Sequence, residues 1–370
     1  EDMKLSLKVD KLQPGQSLED FAALFGKQPF DLASGPLFRA ILCHQDDYKS
    51  ALILTFHHII SDGWSIRVFF REFLELFKSG KDAELPEIPV QYIDFLHWQE
   101  ERLNGDFLKE HLEYWKCQLA GNRTGFVLPT DKPRPAVQKY KGSKVIYPLP
   151  LKLVKRIRAL ANGEGVTLFV SLLAAYKALL HRYAQQDDIV VGTAIANRDH
   201  IQLENVIGFF VNLIVLRTSV KSDMKFRDLL QQVHRVNLDA FTYHGLPFDK
   251  LLDMLQPERD LSRTPLFQIA FDLRDPEITR SDIAGVSFGI EPDLGTALYD
   301  LHLTLEEKDD SLRAIWEYNT DLFEKATIER MAVNYHTLLA DIVECPHKEV
   351  RDLAMLSSGE LLSVSAWNNT

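Results

Sequence analysis

A short apolar run followed by a longer periodic one marks the first part of this chain. Residues 50–56 read SALILTF, and their length and β-branched content predict a buried strand that ends directly before His57 and His58. Ser65 then offers an N-cap and Gly80 a stop for a helix. The apolar positions at helical spacing between them are Phe69, Phe70, Phe73, Leu74 and Phe77. The pattern therefore predicts a strand, loop and helix with the histidine pair in the loop.

Beyond residue 150 the hydrophobic pattern changes repeatedly between helical and strand-like periods. Helical spacing occurs at residues 151–161, at 168–183 after a potential cap at Thr167, and at 226–241. Apolar runs predict strands at residues 188–196, 209–216, 267–273 and 298–305. Alternating helices and strands indicate the α/β class.

Two proline-rich stretches, residues 84–89 and 128–135, lose this periodicity. A chain of 370 residues exceeds the size at which one core stops growing, so two lobes are expected. The second stretch is the better candidate for a linker between them, with the break near residues 128–146. We therefore expect an amino-terminal lobe over 1–135, a carboxy-terminal lobe over 136–356, and a connecting segment at 357–370.

Composition narrows the classes of protein that remain. Hydrophobic residues at 46% and charged residues at 26% are ordinary for a soluble globular protein. A formal net charge of −11 without long basic runs argues against nucleic-acid binding. Three widely spaced cysteines and scattered histidines predict no disulfide framework and no metal site. No apolar stretch reaches the roughly 18 to 20 residues of a membrane span and no signal peptide is evident, so a cytoplasmic location without membrane contact is expected.

The most informative segment is His57-His58-Ile59-Ile60-Ser61-Asp62-Gly63. A histidine at a strand end, with a glycine a few residues later, can present its imidazole outside the core. Its near-neutral pKa suits proton transfer. The ordinary interpretation is that both histidines are satisfied polar groups beside a turn, with Asp62 in an ion pair. That interpretation would be favoured for an isolated His-His pair, but the complete seven-residue pattern favours catalysis.

With this motif the chain resembles the condensation domains of nonribosomal peptide synthetases, which share it with chloramphenicol acetyltransferase and other acyl-CoA-dependent acyltransferases. Six further stretches resemble that family in the family's own order. They are residues 92–98 (YIDFLHW), 188–198 (DIVVGTAIANR), 207–217 (IGFFVNLIVLR), 244–249 (HGLPFD), 259–267 (RDLSRTPLF) and 318–323 (YNTDLF). Together they separate the condensation family from the wider superfamily.

The resemblance implies two chloramphenicol-acetyltransferase-like α/β lobes in a V, with the active site between them. It also implies that the first lobe is incomplete, because two early family motifs, one rich in Ala and Gln and one reading Arg-His-Glu, are absent. In the family, the counterpart of Asp62 pairs with an arginine from that part. The partner of Asp62 in this chain is therefore left open.

The implied reaction joins an acyl or peptidyl thioester on an upstream donor carrier domain to an aminoacyl thioester on a downstream acceptor carrier domain. Both substrates would be attached to the 4'-phosphopantetheine of their carrier domains, and the domain itself would bind no cofactor. The ending at 357–370 resembles the connector to an adjacent adenylation domain. His58 would act as a general base or a positioning group, which the sequence does not separate. Asp62 would orient the loop, and Gly63 would let substrate approach closely.

Several further residues are candidates for supporting or substrate-contacting roles. His57 is expected to be structural, because adjacent strand residues point to opposite faces, and Trp64 and Ser65 are expected to support the site. The substrate-channel candidates are Tyr92, Trp98, Asn212 and Arg263. For Trp64, Tyr92 and Trp98, packing is the more ordinary interpretation.

Related branches and rival functions can be compared on the same residues. Heterocyclising relatives carry aspartates in place of the histidine pair, and epimerising relatives place a tryptophan after the serine, whereas Trp64 precedes Ser65. The wording of residues 207–212 resembles domains that take an L-configured donor. The alternatives are a stand-alone acyl-CoA-dependent acyltransferase and an inactive domain that only docks carriers, against which the intact His58 argues.

Overall fold

The chain divides into two compact units in a computed structural model that describes residues 7–46, 48–121, 126–258, 260–274, 293–308 and 311–368. Unit 1 comprises residues 1–101, 196–211 and 277–294. Unit 2 comprises residues 102–195, 212–276 and 295–370. The chain therefore leaves unit 2 after residue 195 and re-enters it at residue 212. Residues 277–292 and Arg259, part of the 259–267 stretch, lie outside the described residues.

Unit 1 is built on a three-stranded sheet in the order β1-β2-β3, where β1 is parallel to β2 and β3 is antiparallel to it. Its strands are β1 (Lys8–Lys11), β2 (Phe38–His44) and β3 (Ser50–Phe56). Its helices are α1 (Leu18–Gly26), α2 (Gly63–Ser79) and α3 (Tyr92–Arg102), the last of which ends at the first residue of unit 2. The strand predicted at residues 50–56 is confirmed with the same bounds.

The helix after the histidine loop begins earlier than predicted. Asp62, and not Ser65, is the N-cap of α2, and its side chain accepts a hydrogen bond from the backbone N–H of Ser65. A carboxylate three residues before an unsatisfied N–H is a strong cap, which leaves the Ser65 hydroxyl for other contacts. The helix ends as predicted at Gly80, whose φ of 58° favours glycine.

Unit 2 is a six-stranded mixed sheet in the order β4-β9-β8-β7-β5-β6. Its strands are β4 (Gly142–Leu149), β5 (Asp188–Ile195), β6 (Asn212–Ser219), β7 (Ile269–Arg274), β8 (Leu301–Lys308) and β9 (Ser311–Asn319). Its helices are α4 (Gly105–Gln118), α5 (Leu151–Gly163), α6 (Leu168–Ala184), α7 (Phe226–Thr242), α8 (Phe248–Leu255), α9 (Lys325–Glu344) and α10 (Ser358–Asn368). The predicted α/β class is confirmed.

Most of the elements predicted beyond residue 150 are present, with shifted strand ends. Helices α5, α6 and α7 begin where predicted, and Thr167 caps α6 by accepting from the N–H of Val170. The strand expected at 209–216 begins only at Asn212, because the backbone N–H of Phe210 bonds the Asp62 carboxylate in place of a neighbouring strand. Strands β7 and β8 also begin two and three residues late.

The compact units do not divide at the proline-rich stretch where a lobe break was predicted. Phe126 and Leu128 are buried in the hydrophobic core of unit 2. The backbone N–H groups of Asp131 and Lys132 bond the carbonyl of Leu322, at 3.0 and 3.1 Å. The stretch is thus an extended strap on unit 2, and its loss of periodicity reflects this strap and not a linker.

No single helix in the described part of the chain is long and apolar enough to cross a bilayer. Helices α5 and α6 meet the length and composition requirement only when taken together, with a bend of 105° between them.

Candidate active site

The loop after β3 fixes the orientation of the His58 imidazole. A short 3-10 helix, His58–Ile60, follows the strand, and the His58 Nδ1 lies 2.7 Å from the backbone carbonyl oxygen of Ser61. Because a carbonyl can only accept, Nδ1 must carry the proton of this hydrogen bond. In the neutral ring the lone pair is therefore on Nε2. The exposed His58 side chain thus presents Nε2 as an acceptor.

His57 performs a different task in the same loop. Its Nδ1 accepts a hydrogen bond from the N–H of Ile59 at 3.1 Å, so the side chain caps the short helix that begins at His58. Its ring meets the Phe30 ring edge-on at 5.8 Å, and the Arg39 guanidinium lies 3.9 Å over that phenylalanine. His57 is thus held by neighbours within unit 1, as expected of a supporting residue.

Asp62 lies at the centre of the polar contacts in unit 1. Its side chain is completely buried, and the two oxygens accept from the N–H groups of Ser65 at 2.7 Å and Phe210 at 3.1 Å. The Arg198 Nη2 lies 3.2 Å from one oxygen and 3.4 Å from the other. Asp62 is therefore paired with Arg198 within the described chain, which answers the question of its partner that the sequence left open.

Arg198 fastens the segment 196–211 to the start of α2. Its side chain is 2% exposed, and burial lowers its pKa although the Asp62 carboxylate acts in the opposite direction. The guanidinium also donates to the carbonyls of Leu203 and Val206, the latter at 2.7 Å, and lies 4.0 Å from the centre of the Phe210 ring. A buried charge with this many acceptors holds both segments in one arrangement.

Ser65 makes a second connection between α2 and the same segment. Its hydroxyl donates to the Gly208 carbonyl at 2.8 Å and accepts from the Gly208 N–H at 3.0 Å. A Cβ at Gly208 would lie 2.3 Å from the Tyr92 ring, so only glycine fits. Ser65 is therefore a positioning residue that holds the start of α2 to Gly208.

Trp64 and Tyr92 also contact residues 204–209. The Trp64 indole N–H donates to the Glu204 carbonyl at 2.7 Å, and the Tyr92 hydroxyl donates to the Phe209 carbonyl at 2.7 Å. Burial, followed by the nearby Asp62 charge, raises the pKa of Tyr92. The Phe209 ring in turn meets the His58 imidazole edge-on at 5.0 Å. Polar contacts from α2 and α3 thus hold residues 204–209, and Phe209 of this segment contacts His58.

Three other candidates from the sequence have distinct positions. Trp98 lies on α3, is 37% exposed, and meets the His200 ring edge-on at 5.1 Å. Gly63 is exposed at the first position of α2, where a Cβ would meet nothing within 4 Å. Arg263, in unit 2, pairs with Asp260 at 3.3 Å.

Asn212 begins β6 in unit 2 and is 7% exposed. Its amide donates to the carbonyls of His244 and Leu246, at 2.8 and 3.0 Å. Its oxygen accepts from the N–H groups of Phe248 and Leu213, both at 2.9 Å. These four bonds use the whole capacity of an amide, so Asn212 connects β6 to the start of α8 and has no polar atom left for a substrate.

The family model for the condensation domain matches residues 2–361, and the chain therefore belongs to the condensation-domain family. Linear gramicidin synthase subunits C and D of Brevibacillus parabrevis are each 41% identical over 350 residues, 93% of this chain. Chondramide synthase cmdD of Chondromyces crocatus is 40% identical over 348 residues. The chain spans only 4%, 7% and 9% of these relatives, respectively.

Solved structures agree on the fold. A complex of the X-domain and OxyB from teicoplanin biosynthesis matches with a TM-score of 0.84 and 25% identity, over 96% of this chain and 80% of that one. A four-domain nonribosomal peptide synthetase bound to AMP and glycine matches with a TM-score of 0.82 and 25% identity, over 96% of this chain and 28% of that one. Condensation domains of such synthetases catalyse amide-bond formation, which is a transferase activity.

Proposed function

We propose that this chain joins two carrier-bound substrates by aminolysis within a nonribosomal peptide synthetase. The donor is an acyl or peptidyl thioester on an upstream carrier domain, and the acceptor is an aminoacyl thioester on a downstream one. Both arrive on 4'-phosphopantetheine arms, so the domain needs no cofactor of its own. The family membership and the synthetase relatives support this context.

The observation that carries the proposal is the fixed tautomer of His58, with Nε2 as the outward acceptor. The acceptor amine attacks the thioester carbonyl carbon, a C–N bond forms and the C–S bond breaks. The amine loses one proton and the departing sulfur gains one, and in this proposal Nε2 receives the first and returns the second. His57, Asp62, Trp64 and Ser65 support that loop. Gly63 lets substrate approach it closely.

Two effects can accelerate this reaction. Holding both arms in one site converts a bimolecular attack into a nearly unimolecular one, worth up to about 7 to 11 kcal/mol. General base catalysis by His58 contributes typically about 10² to 10⁴-fold. A rate that falls as the pH is lowered through the titration range of an imidazole would assign the base role, and a flat profile would leave His58 as a positioning group.

Replacement of His58 by alanine tests the proposal directly. His58→Ala should reduce dipeptide formation from two loaded carriers by at least about 100-fold, because the general base or positioning group is gone. The fold should persist, since the His58 side chain is exposed. His97→Ala, at an exposed histidine on α3, is the matched control and should retain full activity. Unchanged product from the His58 variant would refute the assignment.

The stand-alone acyltransferase alternative is separated by the form of the substrates. Tethered arms replace small-molecule affinity by effective concentration. We therefore expect loaded carriers to react much faster than an acyl-CoA with a free amine at equal concentrations. The opposite order would favour the stand-alone enzyme.

The sequence pattern and the synthetase context support further details of the proposal. Residues 207–212 support an L-configured donor, which paired assays with L- and D-donor carriers would test. Residues 357–370 support a connector to an adenylation domain, and the synthetase context supports a cytoplasmic location. Tyr92, Trp98 and Arg263 remain candidates for the substrate channel.

A docking domain without catalysis is the second candidate function. One observation favours it: a solved chain with a TM-score of 0.84 is an X-domain in a complex with OxyB. The same His58→Ala experiment decides, because a docking domain would form no amide before or after the change.

A further inference from the structure

The six-stranded sheet of unit 2 has two different faces. Leu301, Leu303 and Leu305 of β8 are completely buried in the hydrophobic core. Because successive strand residues point to opposite faces, His302 and Thr304 lie on the other face. Asp272 of β7, the register partner of Thr304, lies on that face too. A carboxylate and an imidazole are thus neighbours on parallel strands, away from the apolar core.

Asp272 and His302 form a fixed dyad. The Asp272 Oδ2 lies 2.8 Å from the His302 Nε2, and the Oδ1 accepts from the Thr193 hydroxyl and the Ala194 N–H, both at 3.0 Å. Burial alone would raise the pKa of Asp272, but the hydrogen bond and charge of His302 outweigh it and lower this pKa. The ionised carboxylate accepts from Nε2–H, so Nδ1 is an acceptor in the neutral imidazole and a donor in the charged imidazolium.

The dyad is sheltered but not saturated. Each of its two side chains is 14% exposed, whereas the carboxylate of the surface pair Asp188–Arg217 is 52% exposed. Among the residues that the structure describes, neither the His302 Nδ1 nor the hydroxyl of Tyr299 has a hydrogen-bond partner. The two rings lie edge to face at 5.7 Å. Burial, followed by the Asp272 and Glu317 charges, raises the pKa of Tyr299, so its hydroxyl stays neutral.

Two carboxylates on this part of the sheet have partners: Glu306 bonds Arg313, and Glu317 lies 3.6 Å from Lys144. The charge of Arg274, on the same strand as Asp272, also helps to lower the pKa of that carboxylate. A hydroxyl or a carboxamide can both donate and accept hydrogen bonds, so either group can bond Nδ1 of His302 and the Tyr299 hydroxyl.

We propose that His302 and Tyr299 bind the hydroxyl or carboxamide side chain of an aminoacyl substrate, with Asp272 as the positioning residue that fixes the His302 tautomer. The aminoacyl identity of the ligand rests on the proposed function. The site itself rests on the dyad geometry in unit 2.

The test compares isosteric probes on the full chain. The N-acetylcysteamine thioesters of threonine and valine differ by a hydroxyl in place of a methyl, and those of asparagine and leucine by a carboxamide. Titrations followed by the imidazole resonances of isotope-labelled histidine should show the polar member of each pair binding about 2- to 10-fold more tightly. The Nδ1 resonance of His302 should shift only with the polar member.

Variants decide between a ligand site and a structural pair. His302→Leu should bring the threonine-to-valine affinity ratio close to one, while His336→Leu on α9 should retain the preference. Should His302→Leu fail to fold, Tyr299→Phe and Asp272→Asn, which keep their shapes, should each reduce the ratio. A ratio close to one in the unaltered chain, or an equal preference in the unaltered and variant chains, would overturn the inference.

Amide formation is measured separately with valine as acceptor. If the chain forms this amide but shows no discrimination at His302, the dyad proposal fails and the proposed function stands. If discrimination depends on His302 but no amide forms, the polar-group site stands and the proposed function fails.

Discussion

Unit 1 and unit 2 hold their conformations by different means. In unit 2, helix α6 is buried continuously from Val170 to His181, and β5 is buried at most of its positions. In unit 1, every residue of β3 retains some exposure. Among the residues described for this unit, the cluster of buried apolar side chains beside the site comprises Phe95, Leu203, Val206 and Phe210. Unit 1 therefore depends more on the polar contacts of Asp62, Ser65 and Arg198.

This difference predicts which substitutions each unit should tolerate. Packing in a large core is shared among many contacts, so volume decides the outcome. A buried hydrogen-bond network has few members, and each unpaired atom costs its full desolvation. We therefore expect unit 1 to be sensitive to the loss of single polar atoms and unit 2 to changes in volume.

The largest expected effect is the loss of Arg198. Arg198→Met leaves the completely buried Asp62 carboxylate without its counterion, which commonly costs about 3 to 5 kcal/mol. Chemical denaturation should show that loss, and amide formation should fall because residues 204–209 are released. Adding Asp62→Asn should recover part of the stability, since the buried charge is then gone.

Arg71→Met is the matched control for this comparison. Arg71 lies on α2 and bonds Asn205 of the same segment at 2.7 Å, but it is exposed. Its replacement should change the free energy of unfolding by no more than about 0.5 kcal/mol. Equal costs for the two arginines would contradict the special dependence of unit 1 on its buried network.

Lys177 is an exception to this difference between the units, because it is a buried polar side chain in the core of unit 2. Its ammonium is completely buried and donates to the Leu216 carbonyl and the Thr218 hydroxyl, at 2.8 and 2.6 Å. Burial lowers the pKa of Lys177 to about 7. The unfolded chain, with an ordinary lysine pKa of about 10.4, holds one more proton between these values.

Stability should therefore rise with pH across that window. The expected contribution of Lys177 is up to about 1.4 kcal/mol per pH unit above pH 7. Below about pH 7 both states are protonated and the contribution to the slope vanishes. Lys177→Met should remove it in denaturation measured from pH 7 to 9, while Lys155→Met, at an exposed position on α5, should leave it unchanged. Identical slopes in both variants would count against a buried ammonium.

Two glycines allow the same substitution to be made in each unit. A Cβ at Gly192 on β5 would lie 2.0 Å from the Phe267 ring, and one at Gly208 would lie 2.3 Å from the Tyr92 ring. Overpacking costs typically about 1 to 3 kcal/mol. Gly192→Ala should lower stability with amide formation retained in the folded fraction. Gly208→Ala should also lower the rate per folded molecule, because its backbone is bonded to Ser65.

Local patterns account for what the sequence predicted well. The strand at 50–56 and the starts of α5, α6 and α7 follow from periodicity and caps that involve neighbouring residues only. The Asp62–Arg198 pair joins residues 136 positions apart, and no local pattern specifies it. The late start of β6 has the same cause, because a distant carboxylate bonds the Phe210 N–H. From the sequence, Arg198 could be recognised only as part of the stretch 188–198 that resembles the family, and no role could be assigned to it.

The smallest expected effect concerns Tyr92 and tests whether it packs or contacts substrate. Tyr92→Phe keeps the ring that packs against Phe210 at 5.0 Å and removes only the hydroxyl bonded to the Phe209 carbonyl. One such bond contributes about 0.5 to 1.5 kcal/mol, so denaturation should show a loss within that range. If Tyr92 only positions residues 204–209, kcat should fall slightly with KM for the loaded carriers unchanged, because Phe209 contacts the His58 ring. A raised KM with unchanged kcat would instead identify Tyr92 as a substrate contact and extend the functional surface of unit 1 from the histidine loop to α3.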